Sequence, residues 1–440
     1  MKKIRIVRFA ILFIIALNGQ AQTNINLRDA ILLSMQNSKQ LKITMAKSEI
    51  ANMKEKEIIN LMLPRVSLGA EYRRLSNIEP YAIQFVPPPA PATVLNANIP
   101  NTTNFKLSFY EPLFTGLRGF TALRSNQLLV EAAKLDIDKD KTEIYMNVVN
   151  TYYNMYKIML SQTVLEESHL MVESRLKDVN ALKKNGMATQ NDVLKVELQK
   201  SNIELNQMEL MTNKAIANFN FNILLGLPDS TVLNIDTTEL YATKENGTLY
   251  DFLNDGLINR SDLKAQEIRT QVADNAVKIQ KGNYYPQFYM SGNLLYANPN
   301  QRIFPPEQKF NATWDFGVGF TWDITGLYIN KNLVNIAEQN AFMAKTGTDG
   351  MEDLIKIDIN QAFLVFNQSK EKIKLNEKAV AQSKENQRMA TSKFKNQLAI
   401  ISEVLEADLM VIQSEMNLTN AKIDAELAYY RLLRYSGKLK

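Results

Sequence analysis

"ATWDFGVGFTWDITG", residues 312–326, alternates almost without a break. Trp314, Phe316, Val318, Phe320 and Trp322 fall on one parity, and Thr313, Asp315, Gly317, Gly319, Thr321 and Asp323 on the other. Side chains of a β-strand point to opposite faces in turn, so the stretch reads as a strand with one aromatic face and one polar face. Both tryptophans of the 440-residue chain lie here.

Three more stretches alternate in the same way. Val66, Leu68, Ala70 and Tyr72 oppose Arg65, Ser67, Gly69, Glu71 and Arg73. Phe105, Leu107 and Phe109 oppose Lys106, Ser108 and Tyr110, and Phe288, Met290 and Leu294 oppose Gln287, Ser291 and Asn293. Strands are expected over 64–75, 104–113, 286–297 and 312–324.

The remainder reads as helix. No proline lies between Leu113 and Leu227, or from Glu307 to Lys440, while six of the 13 prolines crowd into residues 79–100. Proline costs a helix interior about 3 kcal/mol, so the two proline-free spans predict long helices and the crowded segment a loop. Two glycines in "TGTDG", residues 346–350, cost about 1 kcal/mol each, and a kink or break is expected there.

The chain also repeats. Leu27, Asp29, Asn37, Leu41, Lys42, Ala51 and Pro64 recur 222 positions later as Leu249, Asp251, Asn259, Leu263, Lys264, Ala273 and Pro286. Thr115-Gly116-Leu117 recurs at Thr325-Gly326-Leu327. Asn185, Ala188, Val193-Leu194 and Gly226 recur at Asn396, Ala399, Val404-Leu405 and Gly437. Preserved order marks a duplication. Each copy reads helix, strand, loop, strand, long helix, tight turn, helix: 26–62, 64–75, 104–113, 117–184 and 190–226, then 250–283, 286–297, 312–324, 327–395 and 402–437. The domain reading is residues 22–226 as first repeat, 227–249 as connector and 250–440 as second repeat.

The N-terminus stands apart. Lys2, Lys3, Arg5 and Arg8 precede an apolar run from Phe9 to Leu17 and a small-residue site ending at Ala21, the pattern of a secretory signal peptide over residues 1–21. Its removal takes the formal net charge from +5 to about +1, which leaves no nucleic-acid signal. There is no cysteine, hence no disulfide, and the single histidine, His169, leaves no metal cluster to assemble. No nucleotide, dinucleotide or hydrolase motif occurs, so neither a cofactor nor an enzymatic activity is expected.

A half-buried soluble sheet can alternate too. Here the strands have the roughly ten-residue length of membrane strands, and at about 3.3 Å per residue Trp314 and Trp322 stand ~26 Å apart, near the height of an outer-membrane apolar band. Four strands cannot close a barrel, and an open edge cannot face lipid, so a membrane sheet of this kind must close by oligomerisation.

This duplicated plan, the signal peptide and the paired turns "KKNGMATQNDVLKVE" (183–197) and "FKNQLAIISEVLEAD" (394–408) resemble the TolC-type outer-membrane efflux proteins across essentially the whole mature chain. The resemblance implies a mainly α fold with a transmembrane β-barrel contribution: a homotrimer closing a 12-stranded barrel in the outer membrane of a Gram-negative bacterium, continued by a long α-helical barrel in the periplasm. Residues 227–249 would be a periplasmic connector near mid-barrel. The function implied is the exit duct of a tripartite efflux or type I secretion system. Its partners would be a periplasmic adaptor (membrane fusion protein), an inner-membrane transporter and outer-membrane lipid, with no nucleic acid. Trp314, Trp322, Phe316 and Phe320 would meet lipid, with Asp315 and Asp323 toward the lumen.

The same resemblance places a periplasmic gate at Glu403, Glu406 and Asp192, and adaptor-docking tips at Gly186, Met187, Leu194, Leu398 and Leu405. Two plainer readings stand beside it. Glu403 and Glu406 also suit the first turn of a helix capped by Ser402, and Thr189-x-x-Asp192 is a capping box, taken as the main role of Asp192. Phe394 and Ala399 depart from the Tyr and Arg that latch some relatives, so that latch is not expected. The competing account is a soluble periplasmic coiled-coil adaptor or scaffold, which predicts polar strands on both faces or a single sheet-bearing half, and an N-terminal anchor.

Overall fold

The computed structural model describes residues 23–79, 81–96, 99–236 and 247–439, so the signal segment lies outside the described residues. In chain order the elements are β1 (Thr23–Ile25), α1 (Leu27–Asn37), α2 (Lys39–Leu61), β2 (Arg65–Arg74), β3 (Tyr81–Ile83), β4 (Thr93–Asn96), β5 (Asn101–Phe114), α3 (Arg118–Lys184) and α4 (Gln190–Leu225). There follow β6 (Leu233–Ile235), α5 (Leu249–Asn259), α6 (Ser261–Lys281), β7 (Gln287–Asn298), β8 (Asn311–Thr321), α7 (Gly326–Lys395) and α8 (Ile401–Tyr435).

The long helices form where proline is missing, and α7 runs through residues 346–350 without the expected break. Thr348 is buried there. Its hydroxyl bonds the Ala344 carbonyl at 3.1 Å and lies 2.9 Å from the Thr270 hydroxyl of α6. Packing of this kind, summed along 70 residues, outweighs two glycines at about 1 kcal/mol each. Conversely, the helices expected over 26–62 and 250–283 are each divided. Ser38 (ψ 117°) separates α1 from α2, and Arg260 (ψ 121°) separates α5 from α6. The two breaks are 222 residues apart, the offset of the sequence repeat. At the first, the Ser38 hydroxyl accepts from Leu41 N at 3.1 Å and so starts α2, which 3.6-residue periodicity alone does not reveal.

The described chain divides into two compact units. One ends at Ile43 and resumes over Asp138–Arg260 and from Asp353 on; the other comprises Thr44–Ile137 and Ser261–Glu352. In the first, Tyr152 is fully buried and donates to the carbonyls of Ile25 and Asp236, beside the parallel β1–β6 pair. That pair of three-residue strands was not anticipated from the sequence, being too short to show a period. Buried Asn222 holds the chain after α4, its Nδ2 donating to Thr231 O at 2.8 Å. α4 ends at Gly226 with φ +72°, where a Cβ would come within 2.6 Å of the Asn37 side chain. The same contact recurs between Gly437 (φ +69°) and Asn259, 2.9 Å from an added Cβ. Only glycine supplies both the left-handed backbone and the space.

The second unit holds one four-stranded antiparallel sheet in the order β2-β5-β7-β8. Beneath it Leu128, Ala132, Ala265 and Ile268 form an apolar cluster. At the foot of the sheet the turn at Gly116 (φ +65°) lies against Gly282, whose carbonyl would be 2.2 Å from any added Cβ. The proline-rich segment expected as loop carries the short hairpin β3–β4.

Candidate functional site: the sheet faces and the helical turns

Registry turns four alternating strands into one two-faced sheet. Leu68 pairs with Leu107, Leu107 with Leu294, and Leu294 with Trp314; Val66, Phe109, Gly292 and Phe316 form the adjoining row. Met290 opposite Val318 and Phe288 opposite Phe320 extend the same face. The other face reads Ser67, Ser108, Asn293 and Asp315 across the strands, with Ser108 Oγ donating to Asn293 at 3.0 Å and Asn293 Nδ2 to Asp315 at 2.8 Å. A slip of one residue in any strand would mix the faces.

The apolar face is open: Leu68 is 76% exposed, Trp314 74% and Val318 68%. Phe316 and Phe320 share that exposure. A contiguous apolar surface of this size is unusual for a soluble monomer and marks contact with lipid or a partner. β2 and β8 are the sheet's edges, each paired on one side only. Trp322 is not on the strand, since β8 ends at Thr321; its indole donates to Tyr284 O at 3.1 Å. Asp323 accepts from Gly326 N at 3.0 Å and thereby starts α7. Two aromatic rings cover sheet glycines: Phe316 lies over Gly292, and Tyr289 over Gly319 on the polar face.

The two helical turns share a backbone design. Gly186 (φ +72°) and Gln397 (φ +62°) occupy the left-handed position 211 residues apart. Met187 N bonds Leu182 O and Leu398 N bonds Lys393 O, both at 2.8 Å, closing α3 and α7 in the same way. Gln397 Nε2 reaches Met187 Sδ at 3.1 Å, so the turns touch. They differ at their caps. Thr189 and Asp192 make the full capping box, with Asp192 Oδ2 accepting from Thr189 N at 2.9 Å and from Thr189 Oγ1 at 2.7 Å. These bonds, the backbone one foremost, hold the Asp192 carboxyl below its ordinary range. The second turn has no such cap: the N-cap of α8 is Ile400, not Ser402, because the helix already begins at Ile401. Ser402 Oγ instead accepts from Lys195 Nζ at 2.7 Å.

Glu403 and Glu406 both lie exposed on one side of α8's first two turns, while Ile401, Val404 and Leu405 face inward. Among the tip residues, Gly186 borders open space, and Met187, Leu194 and Leu398 are exposed, Leu398 to 77%. Leu405, however, is 8% exposed and packs with Val172, Val179, Val193 and Val404, which assigns it to the helix core. Phe394 packs against that same cluster.

Directly behind the acidic pair lies a polar network that the sequence reading missed. Asp408 is fully buried; its Oδ2 stands 3.2 Å from Arg175 Nε of α3, and its Oδ1 accepts from Gln387 of α7 at 2.8 Å. Arg175 also donates to Thr391 at 2.6 Å. The available signal was a carboxylate on the apolar side of α8, between Leu405 and Val411. His169 is half-buried on α3, its Nε2 3.5 Å from Glu173. Among the described residues no group of acidic or histidine side chains could hold a metal ion, and no helix is long and apolar enough to cross a membrane.

A duplicated helical chain carrying one amphipathic four-stranded sheet is the fold of the outer-membrane efflux channels. Residues 252–438 match the family model described as outer membrane efflux protein. Over the whole chain the likeness is structural. The outer membrane protein VceC from Vibrio cholerae superposes with a TM-score of 0.78 at 17% identity, covering 93% of this chain and 96% of that one. The open-state MtrE outer membrane channel of Neisseria gonorrhoeae gives 0.76 at 14% identity, with 94% and 89% covered. The CmeC outer membrane channel of Campylobacter jejuni gives 0.73 at 16%, with 94% and 85% covered. No curated protein sequence matches the chain.

Proposed function

We propose that this protein is the outer-membrane exit duct of a tripartite efflux or type I secretion system, conducting cargo without chemistry performed on it. The carrying observation is the sheet: one continuous exposed apolar face, one polar face and two unpaired edges in a single chain. Unpaired backbone groups facing lipid cost several kcal/mol each, and only a closed barrel removes them. Pairing β8 of one copy with β2 of the next closes the sheet, and three copies supply twelve strands. The apolar face then meets lipid, with Trp314, Phe316 and Phe320 in it and Trp322 at its margin, and the polar face lines the lumen.

On this reading the two repeats supply equivalent halves of each protomer, and residues 227–249 are a periplasmic connector between them. The turns at Gly186, Met187, Leu194 and Leu398 are the surface that a periplasmic adaptor docks on, bringing an inner-membrane transporter into line. Glu403 and Glu406, repeated by threefold symmetry, form an acidic ring that draws cations and repels anions. Asp192 supports that end by capping α4. The soluble-scaffold alternative has no account of the exposed apolar face.

The deciding measurement is the mass of the mature protein extracted from outer membrane in detergent, by light scattering corrected for the micelle. A trimer is expected. A monomer, or a species that leaves the membrane without detergent, rejects the duct.

A further inference from the structure

The loop joining β7 to β8, residues 299–310, is fastened to the polar face of the sheet. Asn300 is 1% exposed, and its Nδ2 donates to Asn311 O at 3.0 Å and to Thr313 Oγ1 at 3.1 Å. Its Oδ1 accepts from Arg302 N at 3.0 Å, which aims the next side chain. Arg302 Nη1 then donates to Trp314 O at 3.0 Å, and Nη2 pairs with Asp315. Thr313 and Asp315 both belong to the polar rows, so the guanidinium lies on the face that carries Ser108 and Asn293.

The charge balance of that face follows. Arg65, Arg73 and Lys106 occupy polar-row positions of β2 and β5, and Arg302 joins them from the loop; the carboxylates are Glu71 and Asp315. Glu71 pairs with Arg73 and Asp315 with Arg302, so both carboxylates of this face are neutralised and the net charge is positive. Without Arg302, Asp315 would keep its hydrogen bond from Asn293 but lose its one ion pair.

We infer that the β7–β8 loop is a strap that places Arg302 on the polar face to make it attract anions, and that Arg302 determines specificity for anionic cargo there. The inference rests on the duct reading for its consequence, since the polar face selects cargo only if it lines the lumen. Its sign is opposite to that of the acidic pair on α8, so one duct would carry two filters of opposite charge.

The chain has no cysteine, which allows a single-thiol reporter. Gly317 lies on the polar row of β8, two residues from Asp315, and a Cβ there meets nothing within 4 Å. In the detergent-extracted oligomer of G317C, modification rates with an anionic and a cationic thiosulfonate are compared as a ratio, which cancels differences in access. The anionic reagent is expected to react faster. R302Q in the G317C background should cut the ratio by about threefold or more at low salt, as a unit charge ~7 Å away in water does. R302K should retain it, D315N should raise it, and about 1 M salt should flatten the differences of R302Q and D315N from the parent. An unchanged ratio in R302Q, or a cationic preference in the parent, overturns the inference. The mass of the same preparation reports the duct separately, so a monomer that keeps the ratio overturns the duct and the cargo role while leaving the charged face standing.

Discussion

Arg175 on α3 and Asp408 on α8 form an ion pair almost sealed from water, 3.2 Å apart, with side-chain exposures of 12% and 0%. Gln387 and Thr391 of α7 complete it, so one carboxylate ties three helices together directly behind Glu403 and Glu406. Two charges buried this way stabilise only through each other, because each has given up its hydration. Asp408→Ala should therefore destabilise the protein by about 3–5 kcal/mol, through the guanidinium left unpaired. Arg175→Met with Asp408→Leu should recover most of that loss. Thermal unfolding of the detergent-solubilised protein checks both, and a double variant as unstable as the single would show that the pair itself, not its desolvation, carries the stability.

The acidic pair makes a separate prediction. Glu403 and Glu406 are exposed and three residues apart on α8, in helix-surface contact range of one another. Replacing both with Gln should lower the cation-over-anion permeability of the conducting oligomer in a planar bilayer without lowering its melting temperature. Unchanged selectivity in a channel that conducts would discard the ring.

The capping box of α4 predicts a pH effect of known sign. The Asp192 carboxyl titrates below its ordinary range in the folded chain, chiefly because Thr189 N donates to it. Its stabilisation is therefore fully present above the unfolded carboxylate pKa and is lost as pH falls through the lower folded value. Thr189→Ala should cost about 1 kcal/mol at neutral pH. Asp192→Asn should remove part of the acid sensitivity below about pH 4, the ordinary carboxylate range. Parallel melting curves of variant and parent between neutral pH and pH 3 would show an error in this assignment.

The two tryptophans separate two environments. Trp314 projects from the open face, whereas Trp322 lies just past the strand with its indole bonded to Tyr284 O. In lipid vesicles, W322F, which retains Trp314, should be quenched by lipids brominated on the acyl chain. W314F, which retains Trp322, should respond more weakly to the same lipids, as an interfacial indole does. If aqueous iodide quenches Trp314 and brominated lipid does not, the lipid-facing sheet is wrong.

Much of this molecule is local and so was readable from the chain alone. Strand alternation around Trp314, the proline-free spans that became α3 and α7, the glycine at 186 and the Thr189–Asp192 box each depend on residues within a few positions of one another. So did the family resemblance, carried by the two turns. The departures differ in cause: Ser38 and Arg260 interrupt helices whose periodicity runs on across them, which is local, whereas packing against α6 keeps α7 continuous through Gly347 and Gly350.

Tertiary structure alone decided what lies far apart in sequence. That Leu68, Leu107, Leu294 and Trp314 stand in one row follows from register, which inter-strand hydrogen bonds set and no single strand contains. That Arg175 meets Asp408, 233 residues away, depends on three helices packing together, and so does the burial of Leu405. That Arg302 reaches Asp315 depends on how Asn300 turns its loop onto the sheet. Sequence determines which face of each element is apolar, because that is a property of backbone period. It leaves open which faces and which charges meet, because that is settled only when the elements are brought together and each buried polar group must find its partner.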